Sequence, residues 1–273
     1  MKKNLFLIPL FLIGFLTINS CVTEDVENDG KLDSLKTENV PDDKTVYKLP
    51  SPIELYKFLY ASKTTFKKDA LNSIERREKY NTSTRKALNL GVYASDLAYS
   101  AVFEKTQETF QYFKTARILA DELAISEGFN EKVANRIENN LENVDSLYEI
   151  ASDAYWDATT FLEAENKTEL LSFIIIGSWI ESVYIAGQSV DKFSPKNEIV
   201  IRIAEQKLLL ENLLDYLNSH EKNEEINKIV RKLNELEEYF YNLYDGSNNI
   251  NITESNYKKL IEKVTALRNA FVY

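Results

Sequence analysis

The sequence predicts an all-α protein, and three observations carry the prediction. Apolar residues recur at steps of three and four over long stretches, the period of one buried helix face. Glycine (7) and proline (5) are scarce for 273 residues, which suits long helices and disfavours a turn-rich β protein. No segment alternates apolar and polar residues over a useful strand length. With 44% hydrophobic residues, the chain has the material for a substantial core. The expected architecture is a multi-helix antiparallel bundle of about eight or nine helices, its C-terminal part a three-helix up-down bundle.

The elements follow in order. Ser51-Pro52-Ile53-Glu54 opens the first helix, with Ser as cap, Pro at the first helical position and Glu completing a capping box. Leu55, Leu59 and Phe66 share a face, and the helix is expected to reach about Tyr80. Asn81-Thr82-Ser83-Thr84 breaks and re-caps the chain. A second pattern runs from Arg85 to Ile125 and stops at Gly128. That is long for a globular helix, so a break is expected near Lys105-Thr106. Asn130 caps the next helix, and another starts between Asn143 and Asp145 and reaches Glu165. Asn166-Lys167-Thr168-Glu169 reads as a capping box ahead of an apolar helix to about Val190, a central core helix. Ser194-Pro195 opens the next. Three stripes then repeat the helical step: Ile199, Ile203, Gln206, Leu210, Leu213 and Leu217; Ile229, Leu233, Leu236, Phe240 and Leu243; Tyr257, Leu260, Val264, Leu267 and Phe271. Lys228, Arg231, Glu235 and Glu238 fall on the wet face of the second.

The N-terminus reads as an address. Lys2 and Lys3 precede an apolar run from Leu5 to Ile18, which as a helix reaches only about 21 Å, short of the ~30 Å hydrocarbon core. The run ends in Ile18-Asn19-Ser20-Cys21, which resembles the bacterial lipobox. The resemblance implies cleavage before Cys21, thioether lipidation of its sulfur and acylation of the new amino group. Cys21 is the one cysteine in the chain, so neither an internal disulfide nor a cysteine metal site exists. The next acids, Glu24, Asp25, Glu27 and Asp29, resemble the export signal of surface lipoproteins in Bacteroidota. Few large apolar groups occur between residues 22 and 50, so that stretch reads as a tether spanning roughly 30 Å. The expected organisation is a signal peptide at 1–20, a lipidated cysteine and acidic tether at 21–50, and one helical domain at 51–273. That domain divides into N-terminal helices (51–193) and a C-terminal bundle (194–273).

A net charge of −10 argues against nucleic acid, whose phosphates need a basic surface. There is no Walker loop and no dinucleotide fingerprint. His220 is the sole histidine and lies in a polar turn, so no metal centre and no cofactor is expected. Three apolar stretches nevertheless carry conspicuous acids. Asp96 stands with Tyr93 and Tyr99. Glu181 stands with Trp179, Tyr184 and Gln188. Asp153 and Asp157 lie one turn apart beside Trp156. A charge in such surroundings costs several kcal/mol unless it is hydrogen-bonded or wet. Either the three polar stripes converge on a cleft for a small polar ligand, or they form a structural network with tyrosine hydroxyls and backbone donors; the second is the commoner outcome. A carboxylate-dependent hydrolase would need two facing acids, one with a raised pKa. Gly91-x-Tyr93 with Asp96 and Gly177-x-Trp179 with Glu181 echo one another. The acid falls five residues after one glycine and four after the other, favouring coincidence over an old duplication.

The run from Ala87 to Tyr99, with Gly177-Ser178-Trp179-Ile180-Glu181, resembles a family of helical lipoproteins from Bacteroidota, over most of the region from Tyr47 to Val190. The resemblance implies a helical fold and a lipid-anchored place at the outer membrane, periplasmic or surface-facing, but no mechanism. Together these readings predict an envelope lipoprotein whose helical domain binds or scaffolds, held in the membrane through Cys21 and meeting an envelope protein partner. A ligand cleft around Asp96, Trp156 and Glu181 is the alternative, and an enzyme the minority reading.

Overall fold

A computed structural model describes residues 50–126, 135–136, 139–140, 144–220 and 223–273. The expected signal peptide, Cys21, the expected tether through residue 49, Gly128 and the expected Asn130 cap lie outside the described residues. Nine α-helices are present among those described: α1 (Pro52–Ala61), α2 (Ser83–Val102), α3 (Thr106–Glu122), α4 (Val144–Ala164), α5 (Thr168–Gln188), α6 (Glu198–Ala204), α7 (Gln206–Ser219), α8 (Glu224–Tyr241) and α9 (Glu254–Val272). The only β pairing among them is an isolated antiparallel bridge between Tyr244 and Ile250. The all-α bundle is therefore what this sequence forms.

Helix α5 is the axis. It is apolar on all sides, and 83% of its most apolar stretch is buried inside the protein. It packs against α1, α2, α4, α6, α7, α8 and α9, while α3 lies against α2. The closest packing is between α2 and α5, and two glycines make it possible. A Cβ on Gly91 would lie 2.0 Å from the Ile174 carbonyl oxygen, and one on Gly177 would lie 2.0 Å from that of Leu88. Each glycine thus faces the backbone one turn before the other glycine. The sequence echo has a packing explanation in this reciprocal crossing: a side chain at either point would drive the helices apart.

The C-terminal stripes are buried along their length. Ile203, Leu210, Leu213, Leu233, Phe240, Leu260 and Val264 are all fully covered. The first stripe crosses a step at Glu205 that divides it into α6 and α7. Helix α7 packs on α8, α8 on α9, and α9 in turn lies on α5, so the up-down trio is wrapped onto the central helix. Lys228, Arg231, Glu235 and Glu238 are exposed.

Three boundaries differ from expectation. The first helix ends at Ala61 and not near Tyr80; two 3-10 turns, Lys68–Ala70 and Ile74–Lys79, follow. The departure is sealed by backbone bonds Lys63 N–H to Tyr60 O and Thr64 N–H to Leu59 O, with Lys63 left-handed at φ 57°. Helices α2, α3 and α4 end in the same way at Glu104, Ala124 and Asn166, φ 59°, 54° and 55°. Asn166 therefore closes α4 and does not cap α5. None of these four positions is a glycine, which is how so glycine-poor a chain still turns its corners; each costs about 1 kcal/mol of left-handed strain. Lastly, Asn197 accepts from the Ile199 amide to cap α6, three residues beyond the expected start at Ser194.

Candidate functional site

The α2–α5 crossing brings two of the predicted acids together. Asp96 and Glu181 are both 0% exposed, one turn beyond their glycines. Facing them from α9 stands Arg268, itself 4% exposed. Its Nε donates to Glu181 Oε2 at 2.8 Å and its Nη2 to Oε1 at 2.9 Å, a two-pronged ion pair. The same guanidinium lies 4.7 Å above the Tyr184 ring and donates to the Ala70 carbonyl at 3.3 Å.

Asp96 is held differently. Its Oδ2 accepts the Asn72 amide at 3.1 Å, and its buried Oδ1 has no ordinary donor. Burial first, and then the facing Glu181 carboxylate, push the Asp96 carboxyl well above the usual carboxylate range, against the opposing pull of Arg268 and the Asn72 amide. The consistent arrangement is a protonated Asp96 that shares its hydrogen with Glu181, while Glu181 answers Arg268. One proton, one anion and one cation leave the cluster neutral, as burial demands.

The turns between α1 and α2 supply most of the remaining partners. Asn72 Nδ2 donates to Tyr80 Oη at 3.0 Å, and Tyr112 Oη donates to the Asn72 carbonyl at 3.0 Å. Tyr93 Oη donates to the Ser73 carbonyl at 2.8 Å, and the Lys67 amide donates to Tyr99 Oη at 3.0 Å. Tyr56 Oη and Ser95 Oγ share a hydrogen bond of 2.6 Å. Asn89 Nδ2 reaches the Phe271 carbonyl at 2.9 Å. These bonds tie a non-helical segment to α2, α3 and α9.

The three acidic stripes do not all converge, so the alternative of a cleft shared by all three is corrected here. Asp153 is exposed and pairs with Arg136 at 2.9 Å; Asp157 is exposed. Trp156 is 48% exposed and packs edge-on against Tyr155, 5.5 Å between centroids. Helix α4 turns Ile150, Ala158, Thr159 and Leu162 inward, so Trp156 and its neighbouring acids face out. Gln188, the last residue of α5, is exposed. Trp179 is buried against Phe240, away from the acids' hydrogen-bond network. Tyr93, Asp96, Tyr99, Glu181 and Tyr184 are thus brought together; Asp153, Trp156, Asp157, Trp179 and Gln188 are not.

Arg268, Asn72 and Asn89 escaped the sequence reading. For Arg268 a signal existed: Leu260, Val264 and Arg268 step by four, which places the arginine on the buried face of α9. Asn72 lies in a segment read as helix, where it had no reason to stand out.

A proton-sharing carboxylate pair is what a general acid and its partner require, but these two are sealed. Neither carboxylate has any exposed surface, and neither lines the most prominent hollows among the described residues. The largely enclosed one is a crevice of about 70 Å³ between α1, α2, α3, α4 and α5. No group of three or more potential metal-ligating side chains occurs among the described residues. Comparison with protein-family models, curated proteins and solved structures finds no match for this chain.

Proposed function

We propose that the chain is a lipid-anchored envelope protein whose helical domain binds and does not catalyse. The supporting observation for the second half is the closure of its most chemically suggestive cluster. Asp96 and Glu181 have no exposed surface, and Arg268 already occupies both oxygens of Glu181. Groups so fully engaged act as a clasp holding α2, α5, α9 and the turns before α2 in one arrangement. Support for the first half is the lone cysteine at the end of a short apolar run, followed by an acidic stretch before the first helix. Several acyl chains, each methylene contributing about 0.8 kcal/mol, hold such a protein on the bilayer.

The test is labelling of a bacterium expressing the full chain with an alkyne analogue of palmitate. The processed protein is expected to carry the label and to fractionate with membranes, and Cys21→Ser to lose both. A processed, unlabelled and freely soluble product from the unaltered chain would overturn the anchoring.

A further inference from the structure

The crevice between α1, α2, α3, α4 and α5 has a largely apolar lining; the Tyr155 and Thr159 hydroxyls in it are engaged by the Pro50 and Tyr155 carbonyls, which leaves two polar features. One is Ser178, 1% exposed, whose Oγ has no hydrogen-bond partner. The other serines along α5 and at its C-cap behave differently. Ser172, Ser182 and Ser189 return their hydroxyl hydrogens to the Thr168, Trp179 and Ile185 carbonyls at 2.8, 2.7 and 2.9 Å. Back-bonding of that kind is the default for a buried helical serine, so a hydroxyl that forgoes it beside a hollow is a covered donor left without an acceptor. The other feature is Arg117 on α3. It is the one charged residue lining the crevice among the described residues, half-buried and with no carboxylate paired to it there. The remaining wall is made by residues such as Leu97, Phe113, Ala154, Ala158 and Ile174.

We propose that this crevice binds a short aliphatic carboxylate, its anionic head on Arg117 and its hydrocarbon body among the alanines and Ile174. Charge selects the head: an uncompensated guanidinium at the edge of a low-dielectric hollow favours a planar anion that can take two hydrogen bonds. Size selects the body. A space of about 70 Å³ is roughly half the ~150 Å³ apolar cavity that accepts a benzene, so a branched body of a few carbons fits and a long acyl chain does not. Ser178 offers its hydrogen to an oxygen of the ligand. This inference rests on the binding role proposed above and names its ligand class; it is independent of Cys21, so its failure leaves the anchoring untouched.

The experiment is calorimetric titration of the full chain in phosphatidylcholine nanodiscs with isocaproate, isohexanol and isohexylamine, against empty nanodiscs. Isocaproate is expected to bind at a single site with Kd on the order of 0.1–1 mM, as its few heavy atoms allow. The alcohol should bind at least about fivefold more weakly, and the amine not measurably. Arg117→Gln, at a half-exposed position, should erase the preference of acid over alcohol. Ser178→Ala should weaken isocaproate about fivefold. Ala154→Phe, which fills the crevice from a half-buried position, should abolish binding of both. Circular dichroism confirms that each variant folds, and Arg117→Gln decides alone if the filling variant does not. No heat from isocaproate, amine binding as tight as acid, or isocaproate binding unchanged in Arg117→Gln would each overturn the proposal.

Discussion

Replacing Asp96 by asparagine should flatten the dependence of stability on pH. In the unfolded chain this carboxyl ionises near pH 4. In the folded protein, burial and Glu181 raise its pKa well above that. Folding at any pH between the two values must therefore take up a proton. The sign follows: the Asp96 contribution is complete below about pH 4 and is lost progressively as pH rises toward the raised value. Between the unfolded and the raised folded value the slope approaches about 1.4 kcal/mol per pH unit, so the wild-type chain loses stability at this one residue throughout that window. Asparagine has the shape of the protonated acid. Its amide can donate toward Glu181 and its carbonyl can accept from the Asn72 amide, the bond now made at 3.1 Å, with no proton to acquire. Urea unfolding of both proteins, followed by helical circular dichroism at pH 5, 6 and 7, gives the comparison. Titrating groups away from the cluster cancel in the difference. The asparagine variant should gain on the wild type as pH rises, by at most about 1.4 kcal/mol per pH unit. Parallel stability curves would refute the shared-proton arrangement, and a variant that lost ground as pH rose would reverse it.

Three further outcomes are expected. Arg268→Leu leaves Glu181 buried without its cation and should cost about 3–5 kcal/mol; adding Glu181→Leu should restore most of that, measured by a double-mutant cycle. Gly91→Ala or Gly177→Ala forces a methyl group to within 2.0 Å of a carbonyl oxygen across the crossing and should cost at least about 3 kcal/mol, or prevent folding, in a thermal melt. Ala124→Gly relieves a left-handed residue at φ 54° and should stabilise by roughly 0.5–1 kcal/mol; a loss of that size in the same melt would contradict the strain assigned there.

The helices were legible because each buries one face, and burial writes a period. The stripe from Ile199 to Leu217 survives the step at Glu205 because the break removes no face: Gln206 and Leu210 remain covered. The segment after Ala61 was not legible. Its residues are held by tertiary hydrogen bonds to side chains far along the chain, such as Tyr112 to the Asn72 carbonyl, and such bonds leave no local period. Asp96 and Glu181 could be singled out because an acid in an apolar run has to be answered. The answer itself, Arg268, comes from a helix 87 residues further on, and only its place in the four-step series hinted at burial. Trp156 misled for the opposite reason. Its size suggested a core wall, yet α4 faces its neighbours with Ile150, Ala158, Thr159 and Leu162 and leaves the indole outside.

The double contact of backbone on backbone at Gly91 and Gly177 also limits how this molecule moves. Two rods notched into one another at a pair of points resist both sliding and rolling, so α2 and α5 behave as one rigid beam. Any rearrangement that accompanies occupancy of the neighbouring crevice then falls to α3 and α4, which complete its walls from outside the notch. Amide hydrogen exchange should accordingly be slowest along the beam and fastest to respond on those two flanking rods.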